Sequence, residues 1–541
     1  MTSAAASPSN AARGQTASPA PAARPQGGAD GFTARRAIAF LIMVFGMFMA
    51  ILDIQIVSAS LAEIQAGLGA GPDEISWVQT SYLIAEVVMI PLSGFLARMM
   101  STRLLFTLAA AGFTLSSLAC ATSSSIGEMI LWRGLQGFLG GGMIPAVFAA
   151  AFTIIPPSRR AVVSPMIGLV ATLAPTVGPT VGGYLSHAFS WHWLFLVNVL
   201  PGIGVTIGAF FLIDFDKPNW KLFQRFDWWG LVALAAFLGG MEYVLEEGPS
   251  NDWFQDEAVA ILAVVMLVGG ITSFWRALTR DEPLVDLSAY RDTNFTMGSI
   301  FSFVMGIGLY GLTYLYPLFL GRVRGYDSLM IGETVFVSGM AMFLMAPVAG
   351  FLSSKLDLRV MLMGGFLLFA VSTWMLTGLT ADWDFRELLL PQVLRGMALM
   401  TCMVPINNLA LGTLAPDKMK GASGLYNLTR NLGGAVGLAI INQLLSDRQA
   451  LHYDRLAEAV SWTNPEAVRQ LSMMTANLAA HGITDDRAAL QQLAGRVTGQ
   501  AMVMSFIDVF FLIAVLFACL SVTALLMRKP RAAAGGGGGG H

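Results

Sequence analysis

Membrane-length apolar stretches recur fourteen times along this chain of 541 residues. A helix needs about 20 mostly apolar residues to cross the hydrocarbon core of a bilayer. The composition agrees, because only 12% of the residues are charged, whereas soluble chains carry about 25%. The sequence therefore predicts an all-α integral membrane protein, with spans 1–14 near residues 37–61, 75–97, 103–122, 128–154, 161–186, 191–213, 226–246, 258–277, 293–320, 328–354, 358–380, 387–413, 421–445 and 501–527.

The basic residues predict the orientation of these spans, because cytoplasmic segments of membrane proteins are rich in Lys and Arg. If the N-terminus is cytoplasmic, 21 of the 32 Lys and Arg residues fall on the cytoplasmic side. Only Arg322, Arg324 and Arg386 then lie in short outer loops. A single missed span would invert this bias, so both termini are expected in the cytoplasm.

Segment 446–500 is then predicted to be a polar outer loop, with helical stretches near residues 447–460 and 485–497. It is either a solvated loop or a docking surface for a partner, since long ordered loops often carry function.

Three features recur in the same order in two parts of the chain and indicate an internal duplication. They are Gly-Phe-Leu at 94–96 and 350–352, Arg-Gly at 133–134 and 395–396, and Pro145 and Pro405, at offsets of 256, 262 and 260 residues. Spans 1–6 then correspond to spans 9–14, with a binding site between the halves near the bilayer midplane.

The predicted organisation is a disordered cytoplasmic arm at 1–34, a six-helix bundle at 35–215, an inserted helix pair at 216–290, a second six-helix bundle at 291–530 that includes the outer loop, and a flexible Gly-rich tail at 531–541.

Ionisable residues inside the spans are few, and they are costly at membrane depth. Asp53 in span 1 and Arg133 in span 4 are predicted to lie in the same outer half, within reach of each other. Together with Glu86, at the centre of span 2, they are the predicted proton-coupling residues. The alternatives are a structural ion pair for Asp53 and Arg133 and a protonated, hydrogen-bonded Glu86.

Carboxylates near span ends have a plainer interpretation. Glu242, Glu333 and Asp508 are expected to be hydrated groups at the membrane interface.

The second half repeats the arginine, as Arg395, but offers no acid to match Asp53. It contributes tyrosines in span 9 and two asparagines in span 12. The predicted substrate-cavity residues are Gln55, Tyr310, Tyr314, Arg395, Asn407 and Asn408.

Span 5 carries Gly178, Pro179, Gly182 and Gly183 within one run of small residues and prolines. Glycine allows helices to approach closely, and proline bends a helix because it removes a backbone donor. The run is predicted to be either ordinary tight packing or a hinge.

Motifs for enzymatic chemistry are missing from the sequence: we find no nucleotide-binding Gly-Lys loop and no His-Glu-x-x-His pattern. An enzyme, a metal site and a cofactor are therefore not expected. The three cysteines lie in apolar segments and are predicted to be buried thiols without a disulfide.

Several motifs together resemble the fourteen-helix drug:proton antiporters of the EmrB/QacA type within the major facilitator superfamily. They are Leu52-Asp53-Ile54-Gln55-Ile56-Val57 in span 1, Leu131-Trp132-Arg133-Gly134-Leu135-Gln136-Gly137 in span 4 and Gly178-Pro179-Thr180-Val181-Gly182-Gly183 in span 5, which resembles the antiporter motif of exporters. The Gly-rich end with its final His and Asn427-Leu428-Thr429-Arg430-Asn431 are most similar to the EmrB branch. The chain departs from the pattern at Arg98, where Asp is usual, and at Gln55, where Thr is usual.

The resemblance implies a proton-driven multidrug exporter of the bacterial inner membrane that acts on hydrophobic or cationic compounds. It also implies a periplasmic adaptor of the EmrA type and an outer-membrane channel as partners, with segment 446–500 as the place of adaptor contact. No nucleic-acid partner is expected. Two alternatives remain open, namely an importer or single-metabolite exporter on the same fold and a non-transporting membrane sensor or scaffold.

Overall fold

The computed structural model describes residues 33–526, apart from residues 59, 157–159, 281–282, 327, 416–417 and 482–485. Within this part of the chain every regular element is an α-helix or a short 3₁₀-helix, so the all-α prediction is confirmed. The predicted Gly-rich tail lies outside the described residues, as does the predicted N-terminal arm except for its last two residues.

Helices stand at the positions of all fourteen predicted spans. Twelve are long and apolar enough to cross a membrane, and span 5, bent by 44° between Val163–Ala174 and Val177–Ala188, makes a thirteenth. Span 13 does not reach the same apolar length, so the count of fourteen stays a prediction. In span order the helices are Ala34–Ser58, Trp77–Met100, Thr102–Ala121, Ile126–Gly140 with Met143–Ile154, Arg160–Ala188, Trp193–Leu196 with Val199–Leu212, Trp228–Glu247, Glu257–Thr279, Thr293–Arg322, Ser328–Lys355, Leu358–Trp374, Phe385–Leu411, Met419–Ala459 and Asp486–Thr523.

The surface of the helix bundle is rich in exposed Leu, Ile, Val and Phe, as expected for a protein that faces lipid. All three cysteines are free. Cys120 and Cys402 are buried as predicted, but Cys519 is exposed, because it lies on the outward face of span 14. The prediction of a buried thiol was therefore wrong for Cys519.

Two interfaces join the halves, and the duplication relates one to the other. Span 2 packs on span 13, and span 10, the counterpart of span 2, packs on span 5, the counterpart of span 13. In the first interface the backbones touch, because a Cβ on Gly94 would lie 2.8 Å from the Lys420 carbonyl oxygen. In the second, Gly350 instead borders a cavity of about 520 Å³ with Pro165 and Phe343. The halves therefore meet closely at this level in one interface and leave an opening in the other.

A lysine fastens the closed interface on the side predicted to be cytoplasmic. Lys420 Nζ donates to the Ala97 carbonyl oxygen at 3.1 Å and forms an ion pair with Asp216. Asp216 also accepts two hydrogen bonds from Thr102: the backbone amide donates to Oδ1 and the hydroxyl donates to Oδ2, each at 3.0 Å. The second half is thus tied to both ends of the loop between spans 2 and 3 and to the end of span 6.

The predicted inserted pair packs against the first interface. Span 7 lies on span 8 and on span 2, where Tyr243 and Trp77 have ring centroids 5.5 Å apart. Span 8 lies further out, since only 22% of its apolar stretch is buried. Span 7 is therefore the member of the pair that can reach the interior of the protein.

The N-terminus of span 7 is capped by Asp227, which forms an ion pair with Arg276 of span 8. Burial alone would raise the pKa of Asp227, but hydrogen bonds from Arg276 and the Gly230 amide hold it below its ordinary value. The carboxylate therefore stays charged and fixes one helix of the pair to the other.

Most of segment 446–500 is helical. The helix of span 13 continues to Ala459, a separate helix covers Pro465–Ala480, and the helix of span 14 begins at Asp486. The 41 residues of Met419–Ala459 give a length of about 60 Å, twice the ~30 Å thickness of a bilayer core. Both predicted helical stretches are confirmed within the described residues, while the helix Pro465–Ala480 was not predicted. The segment is therefore a helical projection rather than a loop.

The closed interface can be tested with a glycine pair. We expect Gly94→Val to destabilise the protein by about 1–3 kcal/mol, because the new side chain would overlap the Lys420 backbone. Gly364→Val is the matched control, since a Cβ there has no atom within 4 Å. Thermal unfolding of the purified variants should show a lower midpoint for Gly94→Val only, and equal midpoints would contradict the close contact.

Candidate transport site

Glycines on span 4 allow it to lie very close to span 2. A Cβ on Gly137 would overlap the backbone of Tyr82, and one on Gly141 would lie 2.8 Å from a carbonyl oxygen one turn further along span 2. Residues spaced three or four apart share one face of a helix. The same close approach carries Arg133 across span 2, so that its Nε donates to the Val78 carbonyl oxygen at 3.1 Å.

Asp53 lies at the centre of a fully buried polar network. Arg133 Nη1 donates to its Oδ2 at 2.6 Å. Its Oδ1 accepts from Asn198 Nδ2 at 2.6 Å and from Gln136 Nε2 at 3.1 Å. The structure therefore brings together the two charges that were predicted to lie within reach of each other. The two amides were not predicted, although each stands in an apolar span where a polar residue is conspicuous.

A second set of contacts holds Arg133 and Gln136 in place. Arg133 Nη1 also donates to Gln136 Oε1 at 2.7 Å, and Gln136 Nε2 donates to Ser117 Oγ at 2.7 Å. The guanidinium carbon lies 4.3 Å from the centroid of the Tyr82 ring, a favourable cation–π distance. Residues of spans 1, 2, 3, 4 and 6 thus converge on one carboxylate.

Such a network is stable only as a whole. Two charges taken out of water are costly, and their mutual attraction and the surrounding hydrogen bonds offset that cost, although Nη2 of Arg133 has no partner among the described residues. Asp53 and Arg133 are both 0% exposed, so removing one of them would leave an isolated charge away from water. Anything that neutralises Asp53 must therefore disturb Arg133.

A separate cavity of about 110 Å³ lies beside this network, between spans 1, 2, 7, 9 and 13. Its apolar walls include Ile54, Leu83, Val87 and Leu438. Its polar lining residues are Gln55, Gln79, Glu86, Glu242, Tyr310 and Asn431. Three of the predicted site residues, Gln55, Glu86 and Tyr310, therefore meet in one place, and both halves of the chain contribute to it.

Glu86 is the most unusual residue of this cavity. It is 3% exposed, and its Oε1 has no hydrogen-bond partner among the described residues. It stands on the same face of span 2 as Val78 and Tyr82, at intervals of four residues. The face of span 2 that holds Arg133 therefore continues directly into the cavity.

Glu242 corrects the sequence-based interpretation of carboxylates near span ends. It is 9% exposed and borders the cavity, whereas a hydrated interfacial group was expected. The helix runs on to Glu247 and a 3₁₀ turn to Ser250, so Glu242 lies deeper than the predicted span end implied. Glu333 is exposed as expected, and Asp508 is partly exposed, with His452 Nε2 2.9 Å from its Oδ2.

Four predicted substrate-cavity residues are not among those that line this cavity. Asn407 Oδ1 accepts from the Tyr426 hydroxyl at 2.6 Å, and Asn408 Oδ1 accepts from Ser164 Oγ at 2.7 Å. Both asparagines are thus engaged in bonds between helices. Tyr314 is half-buried elsewhere on span 9, and Arg395 occupies a site of its own.

Arg395 stands where the duplication places the counterpart of Arg133. Its Nη2 donates to Thr313 Oγ1 at 3.1 Å, and its guanidinium lies 5.2 Å from the Tyr316 ring centroid. Thr313, 260 residues after Asp53, contacts Arg395 as Asp53 contacts Arg133, and it therefore takes the place of that acid. Nε and Nη1 of Arg395 have no partner among the described residues. The second half therefore keeps the buried arginine and replaces its carboxylate by a hydroxyl.

The glycine-proline run of span 5 packs against span 1 beside Asp53. A Cβ on Gly178 would overlap Gln55, and one on Gly182 would lie 3.0 Å from the Ile56 Cα. Pro179 and Gly183 lie on the same two turns, and the 44° bend falls just before them, between Ala174 and Val177. The run therefore provides tight packing, and its role as a moving hinge stays a prediction.

Comparison with known proteins identifies the family. The sequence profile of the Major Facilitator Superfamily matches residues 43–438. The chain belongs to the major facilitator superfamily. This transporter is 42% identical over 477 residues to the colistin resistance protein EmrB of Acinetobacter baumannii, a match that covers 88% of the chain and 93% of that protein. It is 30% identical over 488 residues to the multidrug export protein EmrB of Escherichia coli K12, with 90% and 94% covered. Its resemblance to the EmrB type is therefore confirmed.

Solved structures agree with the fold. The transporter matches the human organic anion transporter MFSD10 with a TM-score of 0.57 at 12% identity, covering 89% of this chain and 99% of that one. It matches the proton:xylose symporter XylE with a TM-score of 0.55 at 14% identity, covering 90% and 95%. These likenesses concern the fold alone, which is that of the major facilitator superfamily.

The buried network predicts a non-additive effect on stability. We expect Arg133→Leu to lower stability by about 3–5 kcal/mol, because it leaves the Asp53 charge buried without its partner. The double variant Arg133→Leu, Asp53→Asn should lose less than Arg133→Leu alone, since the remaining amide carries no charge. Thermal unfolding of the purified single and double variants measures this. Additive losses would show that the two charges are not energetically coupled.

Proposed function

We propose that this transporter is a proton-driven multidrug exporter of the bacterial inner membrane, with both termini in the cytoplasm, and that it acts on hydrophobic and cationic compounds. The multidrug export and colistin resistance named for its relatives support export of more than one compound. The observation that carries the proposal is the enclosed Asp53–Arg133 pair next to a cavity bordered by Glu86, whose Oε1 has no hydrogen-bond partner among the described residues.

Proton binding would act through the Asp53 network. The ionised carboxylate is suited to the three donors that surround it, and a proton on it would weaken the attraction to Arg133. Arg133 contacts the Val78 carbonyl oxygen and the Tyr82 ring, so its release would loosen the seam between spans 4 and 2. Glu86 lies on that same face of span 2, so a change in the network would reach the cavity. A protein changes conformation when a ligand or proton binds its two states unequally.

The alternatives fit the contacts less well. A membrane scaffold has no use for two buried carboxyl groups, those of Glu86 and Glu242, that border one internal cavity. An importer or a single-metabolite exporter would use the same fold, but a lining in which apolar residues surround a few polar groups suits compounds of varied shape. Breadth of export is measured with a panel of unrelated compounds.

The tripartite assembly rests on the helical projection. Helix Pro465–Ala480 packs on the extension of span 14, and a cavity of about 110 Å³ lies between them, bordered by Trp462, Leu471 and Leu490. Trp462 is 78% exposed, and exposed aromatic residues beside apolar pockets are typical of protein interfaces. We propose that a periplasmic adaptor of the EmrA type docks here and leads to an outer-membrane channel.

Asp53→Asn tests proton coupling. The variant keeps the shape and two of the hydrogen-bond partners of Asp53 but cannot exchange a proton, so we expect substrate-induced proton movement to fall to background. Everted membrane vesicles with a pH-sensitive dye measure it. Glu333→Gln, which removes an exposed carboxylate from span 10, should behave as wild type. Normal proton-coupled efflux by Asp53→Asn would refute the assignment.

Trp462→Asp tests the adaptor surface. We expect it to abolish co-purification with a co-expressed EmrA-type adaptor while transport in vesicles is unchanged. Trp220→Asp, at an exposed tryptophan on the side predicted to be cytoplasmic, should retain the adaptor. Adaptor binding that survives Trp462→Asp, or that is lost with Trp220→Asp, would contradict this placement or the predicted orientation.

A further inference from the structure

Span 7, a member of the predicted inserted pair, reaches the cavity between the halves. Gly239 lies against the Ile84 side chain of span 2, with 3.1 Å between an added Cβ and that side chain. Beyond the end of span 7, Trp253 Nε1 donates to Gln443 Oε1 of span 13 at 2.7 Å. Span 7 therefore packs on span 2 of the first half, and the turn that follows it is hydrogen-bonded to span 13 of the second half. This position directs Glu242 into the cavity.

Two carboxylates consequently face one small, mostly apolar space. Glu242 and Glu86 are both more than nine-tenths buried. Within the described residues neither carboxylate has an ion-pair partner, and Glu86 Oε1 lacks even a hydrogen bond. The unsatisfied oxygen of Glu86 is an observation independent of the clustering of acids, because a buried acceptor without a donor costs free energy. A ligand that brings positive charge or donors would relieve that cost.

The two carboxyl groups have no basic neighbour in the cavity wall, because neither lysine nor arginine is among the described lining residues. Arg430 stands one residue before Asn431 on span 13, but its Nη2 donates to Asn427 Oδ1 at 2.8 Å and its guanidinium lies over Phe148, 5.5 Å from the ring centroid. Arg133 is held by Asp53. Neither arginine is among the lining residues of the cavity.

Size and lining indicate the chemistry of the ligand. A cavity of about 110 Å³ is smaller than the roughly 300–1,000 Å³ of drug-sized pockets. It therefore suits one group of a larger compound. Apolar side chains from spans 1, 2 and 13 surround the carboxylates, and the Tyr310 ring borders the same space. Such walls favour a bulky organic cation over a hydrated metal ion.

We propose that Glu242 is a specificity-determining residue of this transporter, which together with Glu86 binds the positively charged group of a lipophilic organic cation. This inference rests on the proposed export function and adds to it that the inserted pair supplies part of the substrate site. Neutral compounds gain little from Glu242, so the residue separates cationic from neutral substrates.

Direct binding tests this without any proton gradient. The probes are radiolabelled tetraphenylphosphonium, a lipophilic cation, and Nile red, a neutral dye, each added to the purified full-length protein in detergent. We compare wild type, Glu242→Gln, Glu86→Gln and Glu247→Gln. Glu247 is the matched control on the same helix, since its carboxylate pairs with Asn251 away from the cavity.

We expect Glu242→Gln and Glu86→Gln to bind tetraphenylphosphonium about tenfold more weakly than wild type, with Nile red binding unchanged. Glu247→Gln should match wild type for both probes. Glu242→Asp, which keeps the charge, should bind the cation more tightly than Glu242→Gln and so separates loss of charge from loss of folding. Equal cation binding by Glu242→Gln and Glu247→Gln, or no binding to wild type, would overturn the inference. Failure of the export proposal is seen separately, as absent proton-coupled efflux from wild-type vesicles.

Discussion

The close contact between spans 2 and 4 underlies the rest of the site. Span 4 presents glycines to the backbone of span 2, and only this approach lets Arg133 donate to the Val78 carbonyl oxygen while its other nitrogens reach span 1. The guanidinium held there is balanced by the Asp53 carboxylate at 2.6 Å. Gln136 and Asn198 then use the remaining acceptor capacity of that carboxylate. The close packing of the span 4 glycines on span 2 is therefore the condition that allows the Asp53–Arg133 ion pair to form.

The duplication gives the protein two versions of this arrangement, and their difference is informative. In the second half Arg395 is equally buried, but Thr313 stands in place of the acid and leaves two guanidinium nitrogens without partners among the described residues. A hydroxyl does not exchange protons in the physiological pH range, and among the described residues the buried carboxylates lie in the first half and in the inserted pair. The two interfaces between the halves also differ. Gly94 lies against the backbone of span 13, whereas Gly350, its counterpart, borders a cavity.

Sequence reasoning succeeded where a single physical rule determined the answer. Apolar length predicted the helices, and the depth of charges within spans predicted that Asp53 and Arg133 would be close. It could not determine helix rotation or the exact end of a helix. Asn407 and Asn408 bond to Tyr426 and Ser164 between helices, and their role in a substrate cavity stays a prediction. Glu242 seemed close to a span end because the last turns of span 7 are less apolar. The partner of Arg395 could not be predicted in this way, because the three duplication offsets point to residues 309, 313 and 315 of span 9 and only helix packing selects Thr313.

In the proposed mechanism, substrate in the cavity and a proton on the Asp53 network exclude each other through span 2. Proton release from purified protein in weakly buffered detergent solution, on addition of tetraphenylphosphonium, measures this coupling. Acidification is expected with wild type and with Glu333→Gln, and none with Asp53→Asn. Release that is absent from wild type, or undiminished in Asp53→Asn, would rule out this mechanism.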